Sequence, residues 1–424
     1  MTALRIRPDR LLADLDALAA VGSTGDGGNC RLALTDEDAG GRELVVGWMR
    51  DLGLDVRVDR IGNVVATRAG TEPGLAPVMT GSHIDTVRTG GRYDGTLGVL
   101  AGLEVVRALD DAGVRTRRPL AVAFFTDEEG SRFAPDMLGS LAYVGGIALE
   151  EALAIVGIDG AVLGEELVRI GWAGDAPVPG PVPHAFVELH IEQGPVLEEA
   201  GAVIGAVTGV QGISWQELTL SGQANHAGTT PMRLRRDPGY VAAEVAASVR
   251  RLAAELGGHQ VGTVGRIELH PNLVNVVAAR ATLTVDLRNT DDAVLVDAER
   301  RLAARVAELA AAEGVDHAWR RLARFAPVEF DPAVVDRVEA AATVRGHRVM
   351  RLPSGAGHDA QMLARVCPTG MVFVPSRAGI SHNPAEHTEP EHLAAGAEVL
   401  LDVLVDLADQ PAPQSDSDPQ EATG

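Results

Sequence analysis

The amino-acid sequence predicts an α/β protein in which a mixed sheet is covered by helices, with a smaller α+β unit inserted into it. The first observation is that short apolar segments suited to buried strands alternate with helical patterns before residue 212 and again after residue 330. This order is typical of a sheet with helices on both faces. The second observation is that the pattern changes near residue 213, where segment 214–221 (SWQELTLS) alternates apolar and polar residues, as a strand with one solvated face does.

The part of the chain before residue 212 is predicted to begin with an amphipathic helix and to end with a buried strand. The segments LAVAFFT (120–126) and AFVELHI (185–191) are almost continuously apolar, which indicates central strands. The other elements predicted here are a helix at 39–53, a strand at 56–67, a strand that ends at Met79, and a helix that opens near Leu97.

The inserted unit, residues 213–329, is predicted to hold two helices on a four-stranded, mainly antiparallel sheet. Its predicted elements are strand 214–221, helix 238–256, strands 261–269 and 274–287, and helix 291–313. The α/β pattern then resumes with a helix, the strands HRVMRL and MVFVP, and a final helix. We therefore expect one domain formed by residues 1–212 and 330–410, and a disordered tail at 411–424, which is rich in Pro, Ser and Asp.

The composition is that of a globular protein and excludes several classes of partner. The chain has 424 residues, of which 46% are hydrophobic, enough for two or three domains. A formal net charge of −22 argues against binding to nucleic acid or to an anionic membrane surface. No apolar stretch reaches the roughly 18 residues that span a membrane, and the N-terminal helix carries Arg and Asp throughout, unlike a signal peptide. The two cysteines give no disulfide framework, so a cytoplasmic location is expected.

Candidate catalytic side chains follow the strand that ends at Met79. The chain contains no lysine, which excludes Schiff-base chemistry. His83, Asp85 and Asp94 lie in a glycine-rich loop, and an imidazole with carboxylates at the carboxyl end of a strand suits a metal such as zinc. Asp85, two residues after His83, is predicted to accept the second imidazole N–H and so to orient the ring. A surface turn with scattered polar residues is the alternative.

Further candidates follow other predicted strands. Glu128 and Glu129 come after LAVAFFT, and consecutive side chains that leave a strand point to opposite sides, so one can bind a metal while the other acts as general base. His190 lies near the end of AFVELHI, and His382 follows MVFVP. The alternatives are an exposed acidic turn for the glutamates and a core histidine for each imidazole.

Several motifs together resemble a known enzyme family. In chain order they are GSHIDTVRTGGRYDGTLGVLAGLE, TDEEGSRF, VELHIEQGPVLE, NHAGTTPM, SGAGHDA and SHNPAEH. From about residue 10 to residue 409 the chain is similar to the dinuclear-zinc amidohydrolases, which include N-carbamoyl-L-amino acid hydrolase, allantoate amidohydrolase and β-ureidopropionase of the peptidase-like type. The resemblance implies a metallopeptidase-like catalytic domain with an inserted dimerisation, or lid, domain.

The resemblance assigns two divalent metal ions to each subunit: zinc, or else manganese, cobalt or nickel. The implied ligands are His83 and His190 for one ion, Glu129 and His382 for the other, and Asp94 as the bridge between them. Glu128 would be the general base that takes a proton from the attacking water. In this family the bridging aspartate often precedes a cis peptide bond, here Asp94–Gly95.

The resemblance also implies that the inserted unit contributes to the substrate site of a homodimer. His226 matches a histidine that reaches into the neighbouring subunit and stabilises the oxyanion. Asn275 and Arg288 match positions that hold the substrate's α-carboxylate, for which a guanidinium is suited. A salt bridge within the sheet is the alternative for Arg288. Other implied substrate contacts are Gln193, Gly357 and His358.

The substrate that the resemblance implies is a small carboxylated ureide. Our first interpretation is an N-carbamoyl-L-amino acid, cleaved to the L-amino acid, carbon dioxide and ammonia, because DEEGSRF, LRRDPG and GAEVL fit that branch. Allantoate is an alternative, since PNLVNVV, NHAGTTPM and SGAGHDAQ fit the allantoate branch. A β-ureidopropionase, an aminoacylase or dipeptidase of the same clan, and a metal-stabilised scaffold without catalysis are further alternatives. The clan's aminoacylases and dipeptidases generally place an acidic ligand where His190 stands.

Overall fold

The computed structural model describes residues 4–409. Within that range the chain forms twelve α-helices and fifteen strands, numbered here in chain order. The helices are α1 (Pro8–Ala20), α2 (Asp36–Asp51), α3 (Thr96–Asp111), α4 (Leu138–Tyr143), α5 (Leu149–Leu153), α6 (Leu163–Arg169), α7 (Val196–Ala200), α8 (Pro238–Leu256), α9 (Asp292–Glu313), α10 (Pro332–Val344), α11 (Asp359–Leu363) and α12 (Pro390–Asp409). The strands are β1 (Asp55–Val58), β2 (Val64–Arg68), β3 (Val78–His83), β4 (Leu120–Phe125), β5 (Ala185–Ile191), β6 (Ile204–Val210), β7 (Gly212–Ser221), β8 (Asn225–His226), β9 (Val261–His270), β10 (Val276–Val277), β11 (Arg280–Asn289), β12 (Asp316–Phe325), β13 (Val328–Glu329), β14 (Val349–Ser354) and β15 (Thr369–Val374).

The described chain divides into two compact units, and the first contains a mixed sheet. This unit comprises the described residues as far as Val207, then Phe330–Leu352, then the described residues from His358 onward. Its strand order is β1-β2-β4-β3-β5-β15-β6, with β14 beside β6. The four central strands run parallel, whereas the outer pairs β1–β2, β2–β4 and β15–β6 are antiparallel.

The central strands of the first unit are buried on both faces. Every residue of β3, β4, β5 and β15 is buried, as expected for parallel strands covered by helices on each side. Helices α3, α10 and α12 pack against this part of the sheet, and so do α4 and α11. Because the four strands are parallel, their carboxyl ends lie at one edge of the sheet, the usual place for a ligand site in α/β proteins.

The second unit, Thr208–Glu329 with Pro353–Gly357, contains an antiparallel sheet of order β12-β7-β11-β9. Helices α8 and α9 cover one face of it, and alternate residues of β11, from Ala281 to Leu287, are buried against them. The short strands β8 and β10 pair with each other, and β13 pairs with the end of β6.

The predicted fold class is confirmed, but two of the predicted strands, 56–67 and 274–287, each correspond to two strands. Segment 56–67 is not one strand but two, β1 and β2, which pair antiparallel. The turn between them is built by Asp59, whose carboxylate accepts hydrogen bonds from the backbone N–H groups of Ile61 and Asn63. An aspartate that bonds to its own backbone in this way is a turn signal, and it outweighs the strand pattern of the flanking residues.

Other differences from the sequence predictions are local. Segment 274–287 holds β10 and β11, with a break at Ala278 and Ala279. The Asp94–Gly95 peptide is trans, which is the favoured state of a non-proline bond; within residues 4–409 the cis bonds precede proline. The units divide after Val207 and after Glu329, whereas the predicted boundaries were 212/213 and 329/330. The predicted tail, 411–424, lies outside the described residues. Among the helices of residues 4–409, none has the length and apolar character that crossing a bilayer requires.

Candidate metal centre

The side chains predicted as metal ligands lie together at the carboxyl edge of the central strands. His83 ends β3, His190 lies in β5, Glu129 follows β4, His382 follows β15, and Asp94 lies just before α3. Their donor atoms form two groups, each with all donor atoms within 4.8 Å of one another. We call His83, Asp94 and His190 the buried half-site, and Asp94, Glu129 and His382 the outer half-site.

Asp94 is shared by the two half-sites, with one oxygen facing each. Its Oδ1 lies 3.6 Å from Nε2 of His83 and 3.2 Å from Nε2 of His190. Its Oδ2 lies 3.4 Å from Nε2 of His382, and that nitrogen lies 3.3 Å from Oε2 of Glu129. A carboxylate placed in this way can bridge two cations.

The two imidazoles of the buried half-site are oriented by main-chain oxygens. Nδ1 of His83 donates to the carbonyl oxygen of Asp85 at 2.9 Å, and Nδ1 of His190 donates to that of Ile191 at 2.8 Å. Because a carbonyl oxygen only accepts, each ring keeps its proton on Nδ1. Nε2, which faces Asp94, donates to the carboxylate when the ring is protonated and offers a lone pair to a metal ion when the ring is neutral. Nearly complete burial of both rings restricts them to this orientation.

The acceptor for His83 differs from the predicted one. The Asp85 carboxylate lies 3.9 Å from Nδ1 of His83, beyond hydrogen-bond distance. It instead accepts from the backbone N–H groups of Glu128 and Glu129, each at 3.3 Å. Asp85 therefore holds the turn that carries both glutamates, while its main chain orients the imidazole.

A glycine permits the close approach of the Asp94 loop to His83. Gly95 precedes α3 with φ 65°, in the left-handed region that glycine adopts most readily. A Cβ atom at this position would overlap the His83 ring. Any other residue here would push the bridging carboxylate away from the imidazole.

Glu128 lies at the buried half-site without belonging to either group of ligands. Its Oε2 is 3.4 Å from Nε2 of His83, and its side chain is 9% exposed. Glu129 is 6% exposed and points to the outer half-site. The two consecutive glutamates are thus split between two positions, and the alternative of an exposed acidic turn does not hold.

The electrostatics of the cluster are those of a site that attracts cations. Burial raises the pKa of Glu128 well above its usual value and raises the pKa of Glu129 to about 8. Burial opposes the shift at Asp94, but contacts with the three surrounding imidazoles, first that of His190, hold its pKa well below the usual range. The negative charge of several carboxylates that are buried together is compensated most directly by divalent cations.

The donor set fits two divalent ions. It offers imidazole nitrogens and carboxylate oxygens without a thiolate, a combination that suits zinc, manganese, cobalt and nickel. Three protein ligands in each half-site, one of them shared, leave positions for water and substrate, as a catalytic site requires.

Comparison with known proteins shows which family the chain belongs to. The model of Peptidase family M20/M25/M40 matches residues 79–406. The chain belongs to this family. It is 43% identical over 405 residues to an N-carbamoyl-L-amino-acid amidohydrolase of Rhizobium meliloti, covering 96% of this chain and 97% of that protein. It is 34% identical over 408 residues to an allantoate amidohydrolase of Bacillus subtilis, covering 93% and 96%. A crystal structure of an amidase of the hydantoinase/carbamoylase family from Burkholderia multivorans superposes with a TM-score of 0.94 at 47% identity, covering 96% of this chain and 100% of that one.

Two further predicted residues lie at the candidate metal centre of this M20/M25/M40 protein. Gln193 adopts φ 58°, and its Nε2 donates to Oδ2 of Asp94 at 2.9 Å. His358 is buried with its ring centroid 4.5 Å from that of His190, and burial holds its pKa well below the usual range. Gly357, its neighbour in sequence, is assigned to the second unit.

The predicted substrate residues of the second unit occupy two separate places within it. His226 and Asn275 are exposed and adjacent, since the N–H that follows His226 donates to the Asn275 carbonyl. Arg288 lies near the opposite end of β11. The stretch from Arg280 to Arg288 alone spans about 27 Å of extended strand, so Asn275 and Arg288 do not meet within one chain.

The contacts of His226 define which ring nitrogen carries its proton. Nδ1 accepts from the backbone N–H groups of Gly228 at 3.1 Å and Thr229 at 3.2 Å. The neutral ring therefore carries its proton on Nε2, which can donate to an oxygen that gains negative charge.

Arg288 is engaged within the sheet. It forms a salt bridge with Asp286 at 2.9 Å, donates to the Gly355 carbonyl at 2.7 Å and lies 5.9 Å from the Trp215 ring centroid. The salt bridge that was the alternative reading of Arg288 is present. The Arg288 side chain is nevertheless 25% exposed, so a substrate carboxylate can still reach it.

Sequence reasoning missed several buried polar side chains around the centre. Glu188 accepts from the Ser82 hydroxyl and the Ala360 N–H at 2.6 and 2.8 Å, and so ties β3 to β5 and α11. Ser381 and Glu386 contact the Asp94 loop. Glu386 lies in the motif SHNPAEH, in which only His382 was assigned a role, so the signal was present in the sequence.

Proposed function

We propose that this protein is a metal-dependent hydrolase that cleaves the ureido C–N bond of an N-carbamoyl-L-amino acid. The observation that carries the proposal is the Asp94 carboxylate, which places one oxygen in each half-site beside the buried carboxylate of Glu128. The name and 43% identity of the Rhizobium meliloti relative support a carbamoyl amino acid as substrate. The proposed products are the L-amino acid, carbon dioxide and ammonia.

Glu128 is the proposed general base. Two divalent ions bound to this donor set would polarise the ureido carbonyl and lower the pKa of a water molecule there. Glu128 lies within 3.4 Å of the metal-facing nitrogen of His83, so its carboxylate can accept the proton of a water between substrate and cluster. It then returns that proton to the departing nitrogen, which breaks one C–N bond and leaves a carbamate. Loss of carbon dioxide from the carbamate releases the other nitrogen, so that the amino acid and ammonia are both formed. The turn held by Asp85 fixes the position of the base.

We also propose that the active enzyme is a homodimer. His226 presents a donor at Nε2 and is exposed on the second unit beside Asn275. Since Asn275 and Arg288 lie far apart in one chain, we assign Arg288 from one chain and Asn275 with His226 from the partner to a single substrate. Arg288 would bind the α-carboxylate, and His226 would stabilise the oxyanion. A cytoplasmic location stays a prediction.

The test is ammonia release by manganese- or zinc-loaded protein from N-carbamoyl-L-methionine and from allantoate, measured side by side. We expect turnover of the carbamoyl amino acid to exceed that of allantoate. Preference for allantoate would move the assignment to the function for which the Bacillus subtilis relative is named. No release from either substrate, with two ions bound, would contradict the proposal and favour an amide substrate.

A further inference from the structure

The ligands of the outer half-site are less well supported by the fold than those of the buried half-site. His83 and His190 lie in central strands and are almost fully buried. The His382 side chain is 49% exposed and lies in a loop. Its φ of 54° is in the left-handed region, a strained conformation for a residue other than glycine. Neighbouring contacts must therefore hold this imidazole in place.

Glu386, four residues after His382, provides one such contact. It is 5% exposed, and its Oε1 accepts from the backbone N–H groups of Tyr93 at 2.9 Å and Asp94 at 3.3 Å. A Cβ atom at Gly91 would overlap the Glu386 carboxyl group, so this glycine leaves the space that Glu386 fills. Glu386 thus fastens the segment that carries His382 to the loop that carries the bridging carboxylate.

Ser381 completes the connection. Its Oγ lies 3.0 Å from Oδ2 of Asp94 and 3.1 Å from Oε2 of Glu386. The oxygen of Asp94 that it contacts is the one that faces His382. Glu386 therefore positions the His382 segment against the Asp94 loop, and Ser381 orients the carboxylate of Asp94.

We infer that Ser381 and Glu386 are a positioning pair that sets the affinity of the outer half-site for its metal ion. This inference rests on the two-ion site of the proposed function. Neither side chain is among the donor groups of the two half-sites, so their effect passes through Asp94 and His382. Asp94 also serves the buried half-site, but neither Ser381 nor Glu386 touches the imidazoles there. The ion held there therefore loses less affinity than the outer ion.

The test is a titration of metal-free protein with Mn²⁺, in which binding is measured by calorimetry and the bound ions are counted by elemental analysis. We expect wild type to bind two ions. Glu386→Ala and Ser381→Ala should weaken binding of the second ion about 10- to 100-fold, the usual cost of losing a group that orients a ligand, and weaken binding of the first ion much less. Glu386→Gln should retain both ions, because the amide oxygen can accept from the two N–H groups while its NH₂ donates to Ser381.

A matched control and an independent variant sharpen the result. Glu389→Ala removes an exposed carboxylate of the same segment that pairs with Arg377, and it should bind both ions as wild type does. Gly91→Ala should displace Glu386 and reproduce the weaker binding of the second ion. Ser381→Ala removes only a hydroxyl group, so it still tests the inference if the Glu386→Ala protein does not fold. Unchanged second-ion affinity in these variants, or equal weakening of both ions, overturns the inference. A single ion in wild type overturns the two-ion site itself.

Discussion

The metal cluster of the first unit and the candidate substrate residues of the second unit differ in how the chain supports them. In the cluster, the imidazoles of His83 and His190 are buried and oriented by main-chain oxygens, and Asp94 is surrounded by three imidazoles. In the second unit, His226 and Asn275 are exposed, on a short strand and in a loop, and Arg288 forms a salt bridge with Asp286. One region is assembled by its own chain, whereas the other presents groups to solvent.

This difference separates two kinds of contribution to catalysis. Groups that must bind highly charged ions are fixed in advance, since misplaced ligands lose affinity. In the proposed homodimer, the groups that meet the substrate are oriented locally, as His226 is by the N–H groups of Gly228 and Thr229. They would gain their partner only when substrate and a second chain bind. Variants in the two regions should therefore fail in different ways.

The largest effect is expected for Glu128→Gln. The amide cannot accept the proton of the attacking water, so turnover should fall by at least about 10³-fold. Metal binding should persist, because Glu128 lies outside both groups of ligands. Ammonia release and bound-ion content, measured on the same sample, check this. Turnover close to that of wild type would remove Glu128 as the base.

His226→Ala should have the next largest effect. Loss of one donor to an oxyanion costs about 10²- to 10³-fold in kcat. If His226 acts across subunits, then mixing the inactive His226→Ala and Glu128→Gln proteins should restore activity in heterodimers, because one of the two sites regains both groups. Verified subunit exchange without recovered activity would mean that His226 does not serve a neighbouring chain.

Arg288→Ala should act on substrate binding. Hydrogen bonds to a charged group contribute about 1.5–3 kcal/mol, so KM for a carboxylated substrate should rise about 10- to 100-fold with a smaller change in kcat. Arg320→Ala is the matched control, since Arg320 lies in the same sheet and pairs with Glu217. An equal rise in KM for an analogue that lacks the carboxylate would contradict the assignment.

The smallest effect is expected for Asp85→Asn. The amide oxygen can still accept one of the two backbone N–H groups that the carboxylate accepts now, and the main-chain bond to His83 is kept. We expect kcat to fall by about tenfold or less with both ions retained. A loss as large as that of Glu128→Gln would give Asp85 a direct part in proton transfer.

The sequence predicts where His83, Glu129 and His190 lie because each of them is near the carboxyl end of a parallel strand. Buried apolar runs mark β4 and β5, and parallel strands bring the residues at their carboxyl ends to one edge. The role of Asp85 could not be read in the same way. Whether the carboxylate or the main-chain oxygen of Asp85 contacts His83 depends on the backbone path after β3. The alternation of side chains along a strand does not describe that path.

Loop contacts and distances along strands were also beyond the sequence. Ser381 and Glu386 meet the Asp94 loop only because the chain after β15 folds back, with His382 in a left-handed conformation. The resemblance assigns Asn275 and Arg288, which stand 13 positions apart in the sequence, to one substrate carboxylate. The extended strand β11 separates the two residues. Their distance can be derived only when the first and last residues of that strand are known.

The two-ion site is tested by a titration of metal-free protein with Mn²⁺, in which bound ions and L-methionine formed from N-carbamoyl-L-methionine are followed together. Two half-sites that share Asp94 predict no turnover without metal and full turnover only when two ions are bound per chain. Turnover that is complete without metal, or that saturates at one ion per chain, would contradict a two-ion hydrolase built on this cluster.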